Sequence, residues 1–234
     1  MSSPNHYSRE LVRRCQNLID DLLPIIDVGL PNDSQFGGPL RTTFLLAMAT
    51  PMVTLPIERI FKPGTGTATA GDDRKIDEKL SDAVADAFGP RKTFENAPFA
   101  QTSRWSYVAN CTPFNIADGL PTSLLEALAT PDAITSAKTA LTSRILRDLR
   151  NALAHGAVVY LDKDGMNSDG PAAMLAFVGT RMKDYKITAF NVLRVSEHDF
   201  CTFLKAWTEW IKKSSVVVNE LNSKSPFGNS KSTS

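Results

Sequence analysis

The spacing of apolar residues along the chain predicts a mainly helical protein. Over residues 7–23 they recur at three- and four-residue steps, which is typical of an amphipathic helix. Residues 40–61 are apolar nearly all round, as expected of a buried helix, and we expect Pro51 and Pro56 to kink or split it. Shorter helices are predicted over 74–88 and 121–129.

A long helix is predicted over residues 130–155. Thr130 can cap its N-terminus, Pro131 suits the first helical position, and Gly156 is well placed to stop the helix. Apolar residues at three- and four-residue spacing form its expected buried stripe, namely Leu141, Ile145, Leu149 and Ala152.

The hydrophobic period changes after residue 156. Segments 157–162, 172–178 and 185–195 are rich in β-branched and aromatic residues and predict three short strands. Ser196 followed by Asp199 resembles a capping box, so a C-terminal helix is expected to begin there. The predicted fold class is therefore mainly α, an antiparallel helical bundle with a small antiparallel β-hairpin or meander before the C-terminal helix.

One domain is expected over residues 1–222, with residues 157–195 as a β insertion. Residues 62–73 are rich in Gly and Thr and predict a flexible loop, since they lack the Gly-Lys-Ser/Thr ending of a phosphate-binding loop. The pattern over 89–121 is irregular. Residues 223–234 are too polar to pack and predict a disordered tail.

Composition and charge restrict the function classes. The chain has 26 Lys and Arg residues against 25 Asp and Glu residues, a net charge of +1, so binding to nucleic acid would need a local basic patch. Cys15, Cys111 and Cys201 are far apart, and the N-terminus lacks a signal-peptide core, which favours reduced thiols in the cytoplasm. We expect no membrane span, no metal site and no cofactor.

The candidate chemistry lies at the end of the predicted long helix, in the segment RNALAHG. Asn151 and His155 are four residues apart and share one helix face, with Arg147 one turn earlier. Arg150 points about 140° away from His155 in an ideal helix. The two side chains can meet at one phosphate if the last turn loosens, if the arginine wraps round, or if a twofold dimer brings two helix ends together.

This segment resembles the Arg-x4-His motif of HEPN domains (higher eukaryotes and prokaryotes nucleotide-binding domains). The resemblance includes the polar Asn151 directly after Arg150, and a histidine near the helix C-terminus. The active nucleases of that family are metal-independent endoribonucleases with a site at a dimer cleft. The resemblance therefore implies a homodimer that binds RNA across the cleft, where a 2′-hydroxyl attacks the adjacent phosphorus and leaves a 2′,3′-cyclic phosphate and a 5′-hydroxyl.

The resemblance also implies a role for each residue. His155 would act as general base or acid, or position the 2′-hydroxyl. Arg150 would hold the phosphate and stabilise the negative charge of the transition state. Asn151 would orient His155. Arg144 and Arg147 would be additional RNA-binding residues.

The local charge around the motif fits an anionic substrate. Residues 138–155 have a net charge of +3, from one lysine and three arginines against one aspartate. Structural roles remain open for the same residues. His155 can simply cap the helix end, and Arg150 can be a solvated surface residue or pair with an acid elsewhere. Glu58 with Arg59 can form an internal ion pair, face the solvent or assist at the cleft.

Three hypotheses about function remain at this point. The leading one is a HEPN-type endoribonuclease in toxin–antitoxin or antiviral defence, with an antitoxin or another regulatory protein as a partner. The second is a non-catalytic HEPN module that binds RNA, a nucleotide or a protein, and the third is an unrelated helical structural or adaptor protein. A subset of HEPN toxins has a tyrosine, modified by a nucleotidyltransferase partner, where this chain has Ala157. That kind of antitoxin is therefore not expected.

Overall fold

A computed structural model describes residues 6–29, 40–67, 69, 71–101 and 103–215, so the predicted tail 223–234 lies outside the described residues. The prediction of a mainly helical protein is confirmed. The helices are α1 (Val12–Val28), α2 (Arg41–Pro56), α3 (Glu78–Ala87), α4 (Thr122–Ala129), α5 (Pro131–Thr139), α6 (Thr142–His155) and α7 (Glu197–Ser214). The strands are β1 (Trp105–Cys111), β2 (Val158–Leu161), β3 (Met174–Lys183) and β4 (Lys186–Ser196).

The apolar helix α2 changes its hydrogen-bond pattern at its second proline. Pro56 ends the α-helical part, and a π-helical turn over Ile57–Phe61 continues into a helical turn over Lys62–Gly64. Pro51 lies inside α2 and does not split it, although proline has no backbone N–H to donate. The whole segment Arg41–Gly64 is long and apolar enough to cross a membrane by length and composition alone. Length and composition are weak evidence for a membrane span, because a helix in the core of a soluble protein can have the same length and composition.

The prediction of one continuous helix over residues 130–155 is wrong. The chain is extended at Ala140 and Leu141. Beside this break, the N–H of Phe94 donates to the carbonyl of Ala140 at 2.8 Å, and the N–H of Thr142 donates to the carbonyl of Lys92 at 2.9 Å. These long-range bonds compete successfully with the helical pattern, so α5 and α6 are separate helices. Thr130 caps α5 as predicted, with its side chain accepting from the N–H of Ala133.

Among the described residues, β1–β4 form a four-stranded antiparallel sheet in the order β1-β4-β3-β2. The three predicted strands are present, and each pairs with the next along the chain. The sheet is wider than expected, because β1 comes from the irregular region 89–121 and pairs with β4 in the register Trp105↔Val195. The segment 157–195 therefore supplies only part of the sheet.

The sheet is covered on both faces. One apolar cluster joins the helices to one face and contains Trp207, Phe99 and Phe177. A second cluster lies on the opposite face and contains Leu128 of α4 with Val178 and Val192. Helix α6 packs on the first face with Ile145, Leu149 and Ala152 fully buried, which fixes the place of the motif at its C-terminal end.

The predicted flexible loop 62–73 is tied to the protein at both ends. It begins with the helical turn Lys62–Gly64. Asp73 at its other end is buried and accepts hydrogen bonds from Ser8 Oγ at 2.6 Å and Arg59 Nη2 at 2.7 Å. Arg59 therefore forms its internal ion pair with Asp73, whereas Glu58 pairs with Lys62 and Arg150, so Glu58 and Arg59 do not pair with each other.

Candidate functional site

The candidate site lies where α6 ends and β2 begins. His155 is the last residue of α6 and is exposed, and Gly156 follows in the left-handed conformation with φ of 66°. The N–H of Ala157 donates to the carbonyl of Ala152 at 2.9 Å, which closes the helix end. Gly156 therefore stops the helix as predicted, and the imidazole is presented at its accessible C-terminal end.

Arg150 is held by its neighbours instead of extending into solvent. Its guanidinium forms an ion pair with Glu58 in the π-helical turn, and its Nη1 donates to Asn151 Oδ1 at 2.7 Å. The Arg150 side chain is only 18% exposed, and its Nε is buried without a hydrogen-bond partner. Glu58 also pairs with Lys62 at 2.8 Å. Glu58 thus lies at the candidate site, next to the residue expected to bind phosphate.

The structure brings Arg150 and Asn151 together but not His155. Within the described ranges, no hydrogen bond joins His155 to either residue of the same chain. The oxygen of Asn151 accepts from Arg150, so a contact in which Asn151 orients His155 stays a prediction. This separation follows from helix geometry, since Arg150 and His155 point in directions about 140° apart.

Arg144 and Arg147 lie on earlier turns of α6. Arg147 is exposed. Arg144 is half-buried and lines a cavity of about 510 Å³, together with Tyr107 of β1 and Thr130 and Ser136 of the α4–α5 region. Helix α6 therefore presents Arg147 to solvent and Arg144 to this cavity.

A buried carboxylate in the motif helix was not predicted to have a structural role. Asp148 is 1% exposed, and its Oδ2 accepts hydrogen bonds from Tyr107 Oη at 3.0 Å and Asn191 Nδ2 at 2.8 Å. Burial raises the pKa of Asp148, against the opposing effect of these bonds and of the charges of Arg147 and Arg181. The signal was present in the sequence, because an acid stands within the apolar stripe of α6.

Gly179 of β3 allows this carboxylate to approach the sheet. A Cβ atom at position 179 would lie 2.7 Å from Asp148 Cβ and 2.9 Å from its Oδ1, closer than real side chains come. The absence of a side chain at Gly179 therefore sets the distance between α6 and β3. Asp148 thus connects the motif helix to β1, β3 and β4.

Metal and cofactor sites were not expected. Within the part of the chain that the structure describes, no group of three or more His, Cys, Asp or Glu side chains lies close enough to hold a metal ion. Cys15, Cys111 and Cys201 are free thiols. The predictions of no metal and no cofactor stay predictions.

Comparison with known proteins identifies the family. A family model described as HEPN pEK499 p136 matches residues 1–216, which include Arg150, Asn151 and His155. No curated protein and no solved structure matches the chain significantly. The match excludes the hypothesis of a helical protein unrelated to HEPN domains. The motif, its position at the end of α6 and the family match lead to one conclusion: the chain belongs to the HEPN family described as pEK499 p136.

Proposed function

We propose that the protein is a metal-independent endoribonuclease that works as a homodimer. The observation that carries the proposal is the placement of the family's Arg-x4-His motif at an accessible helix end, with an exposed His155 and a firmly held Arg150. We further propose that α1, α2, α6 and α7 correspond to the antiparallel bundle of HEPN domains. The cellular role would be that of a toxin or an antiviral defence effector in the cytoplasm, with an antitoxin or another regulatory protein as a partner.

The proposed reaction needs a base, an acid and a binding site for the phosphate. The 2′-hydroxyl oxygen of RNA forms a bond to the adjacent phosphorus while the bond from phosphorus to the 5′-oxygen breaks. One proton leaves the 2′-hydroxyl and one reaches the 5′-oxygen, so the products are a 2′,3′-cyclic phosphate and a 5′-hydroxyl. His155 handles one of these protons, and Arg150 stabilises the charge that develops on the phosphoryl oxygens.

A second subunit solves the geometric problem of the single chain. Glu58 and Asn151 hold the guanidinium of Arg150 on one side of α6, whereas His155 stands at its exposed end. In a twofold dimer with the two α6 ends facing each other, the imidazole of one subunit approaches the guanidinium of its mate. One scissile phosphate then contacts both groups, and Arg144 and Arg147 contact phosphates further along the strand.

Glu58 has a positioning role in this proposal. The guanidinium carries five N–H donors in a fixed plane, and Glu58 and Asn151 occupy one edge of it. Nε is buried, so a phosphate would meet the second N–H of each terminal nitrogen, with little loss of side-chain freedom because the guanidinium is already fixed.

The test is RNA cleavage in EDTA by the full chain and by Arg150→Ala, Asn151→Ala and His155→Ala. Arg91→Ala and His198→Ala are matched controls, since each removes the same residue type from an exposed position away from the C-terminal end of α6. We expect cleavage to be lost in Arg150→Ala and His155→Ala, with circular dichroism unchanged, and to persist in both controls. Cleavage that survives in His155→Ala would refute the mechanism.

A second candidate function is a non-catalytic HEPN module that binds RNA, a nucleotide or a protein. The ion pair between Arg150 and Glu58 favours it, because an arginine already neutralised by a carboxylate binds phosphate less strongly. This function would give RNA binding or partner binding without cleavage. A strictly monomeric protein at micromolar concentration would also favour it, since the composite cleft would not form.

A further inference from the structure

The hairpin between β3 and β4 ends in an unusual turn. Lys183 pairs with Lys186, so Asp184 and Tyr185 form a two-residue loop, with φ of 49° and 62° respectively. Positive φ at both positions is typical of a type I′ turn, which strongly favours glycine or asparagine. A tyrosine is unfavourable there, and its side chain is 98% exposed, so it contributes no packing within the described protein. The fold does not explain why Tyr185 stands at this position.

Basic residues flank this tyrosine in the sequence. Lys183 and Lys186 flank the turn directly, and Arg181 lies two residues before Lys183 on the same strand. Asp184 is the single acid between residues 181 and 187. The net charge of the whole chain is only +1, so this hairpin concentrates positive charge around an exposed aromatic ring.

The hairpin also adjoins the motif helix. Side chains of a strand alternate between the two faces, so Arg181 shares a face with Gly179, which contacts Asp148 of α6. Arg181 and Arg144 both act electrostatically on Tyr107, the hydrogen-bond partner of Asp148. The basic residues of β3 and of α6 therefore lie around one point of the sheet.

Arg147 and Arg181 interact electrostatically with the buried carboxylate of Asp148, but neither forms an ion pair with it. Among the residues that the structure describes, no acid forms an ion pair with Arg144, Arg147 or Arg181. The Nε atom of Arg181 is buried and has no hydrogen-bond partner. Other arginines of the chain do have acidic partners, for example Arg59 with Asp73 and Arg150 with Glu58.

We propose that the β3–β4 hairpin is an arm that binds single-stranded RNA, in which Arg181 acts with Arg144 and Arg147 on backbone phosphates and Tyr185 stacks on an unpaired base. The proposal rests on the proposed function in taking RNA as the ligand. Cations beside an exposed aromatic ring are the combination that single-stranded RNA requires. A second copy of the chain fits less well, because pairing two hairpins about a twofold axis would bring lysines against lysines.

The experiment measures fluorescence anisotropy of a labelled single-stranded 12-nucleotide RNA, with the full chain carrying His155→Ala as parent, in EDTA. We expect Tyr185→Gly to weaken binding by about 5- to 100-fold, because one base loses its stacking partner. The glycine suits the turn, so the thermal unfolding temperature should be no lower than that of the parent. Tyr185→Phe keeps the ring and should bind within about twofold of the parent.

Two further variants separate the phosphate contact from a general surface effect. Arg181→Gln should weaken binding and lower the slope of log Kd against log salt by about one, as expected when one phosphate contact is lost. Tyr160→Ala is the matched control, since Tyr160 is an exposed tyrosine of β2, 43% exposed and away from the turn. It should bind as the parent does.

The outcomes distinguish this inference from the proposed function. If the protein with His155 intact cleaves RNA while Tyr185→Gly and Arg181→Gln bind as the parent does, the function stands and the inference fails. If binding depends on the hairpin but no RNA is cleaved, the inference stands and the function fails. A parent that binds no RNA overturns both. Hairpin variants that become monomeric with unchanged RNA affinity would assign the hairpin to subunit contact and contradict the inference.

Discussion

Asp148 accepts hydrogen bonds from two buried donors, and replacing it should separate the cost of losing the acceptor from the cost of burying a charge. Its Oδ2 lies 3.0 Å from Tyr107 Oη and 2.8 Å from Asn191 Nδ2. Asp148→Ala leaves both donors without an acceptor, whereas Asp148→Asn keeps an amide oxygen in the same place. The two substitutions should therefore differ strongly in stability although both remove the carboxylate.

The size of the expected loss in unfolding free energy follows from the two donors that Asp148 accepts from. A buried donor without an acceptor costs about 1–3 kcal/mol, and the removal of a buried carboxylate recovers part of the loss. We expect Asp148→Ala to lower the free energy of unfolding by about 2–4 kcal/mol at pH 7. Asp148→Asn should stay within about 1 kcal/mol of the parent protein, since a neutral hydrogen bond replaces a charged one and no charge is buried.

The contribution of Asp148 to the free energy of unfolding depends on pH with a definite sign. Burial raises the pKa of Asp148 in the folded protein, so the folded state retains this proton to a higher pH than the unfolded chain does. The contribution of Asp148 to stability is therefore greatest below the pKa of the unfolded carboxyl, about 3.9, and falls as pH rises through the folded value. Asp148→Asn lacks this titration, so its stability relative to the parent should increase with pH.

The assay is urea unfolding followed by tryptophan fluorescence between pH 4.5 and 8, using the buried Trp105 and Trp207 as probes. The parent and both variants are compared at each pH. An Asp148→Asn protein as unstable as Asp148→Ala would show that the acceptor is not what stabilises the fold here. Equal dependence of the unfolding free energy on pH in the parent and in Asp148→Asn would contradict the raised pKa of Asp148.

Two further predictions concern the surroundings of the site. Glu58→Ala should lower kcat/KM for RNA by about 10- to 100-fold, because Arg150 loses the carboxylate that orients it. Glu58→Gln should retain more activity than Glu58→Ala. An increase in activity in Glu58→Ala would show that Glu58 restrains Arg150 instead. Gly179→Ala should lower the free energy of unfolding by about 1–3 kcal/mol, because its Cβ would press on Asp148. Gly170→Ala is its control in thermal unfolding, since a Cβ there would meet nothing within 4 Å.

Local signals in the sequence were sufficient for most of the secondary structure. Thr130 and Ser196 cap helices as expected, and Gly156 ends the motif helix. These features depend on residues within one turn of each other, so the sequence pattern determines them directly. The strands β2, β3 and β4 were predictable for the same reason, because β-branched and aromatic residues follow one another there.

Features that depend on distant parts of the chain were not predicted. Strand β1 lies in an irregular region and is defined by its pairing with β4, and the break at Ala140 and Leu141 depends on residues 92–94. The pairing of Arg150 with Glu58 joins positions far apart in sequence. The motif identified α6 as the place of the site, but only the structure shows which neighbours hold each side chain.

The most direct test of the composite cleft is a heterodimer of two inactive variants. One subunit carries Arg150→Ala and the other His155→Ala, each with its own affinity tag, and the heterodimer is isolated by two successive purifications. If imidazole and guanidinium groups from two subunits act on one phosphate, the heterodimer keeps one of each. We predict that it cleaves RNA in EDTA and leaves a 2′,3′-cyclic phosphate, whereas both homodimers are inactive; an inactive heterodimer beside an active parent would contradict the account.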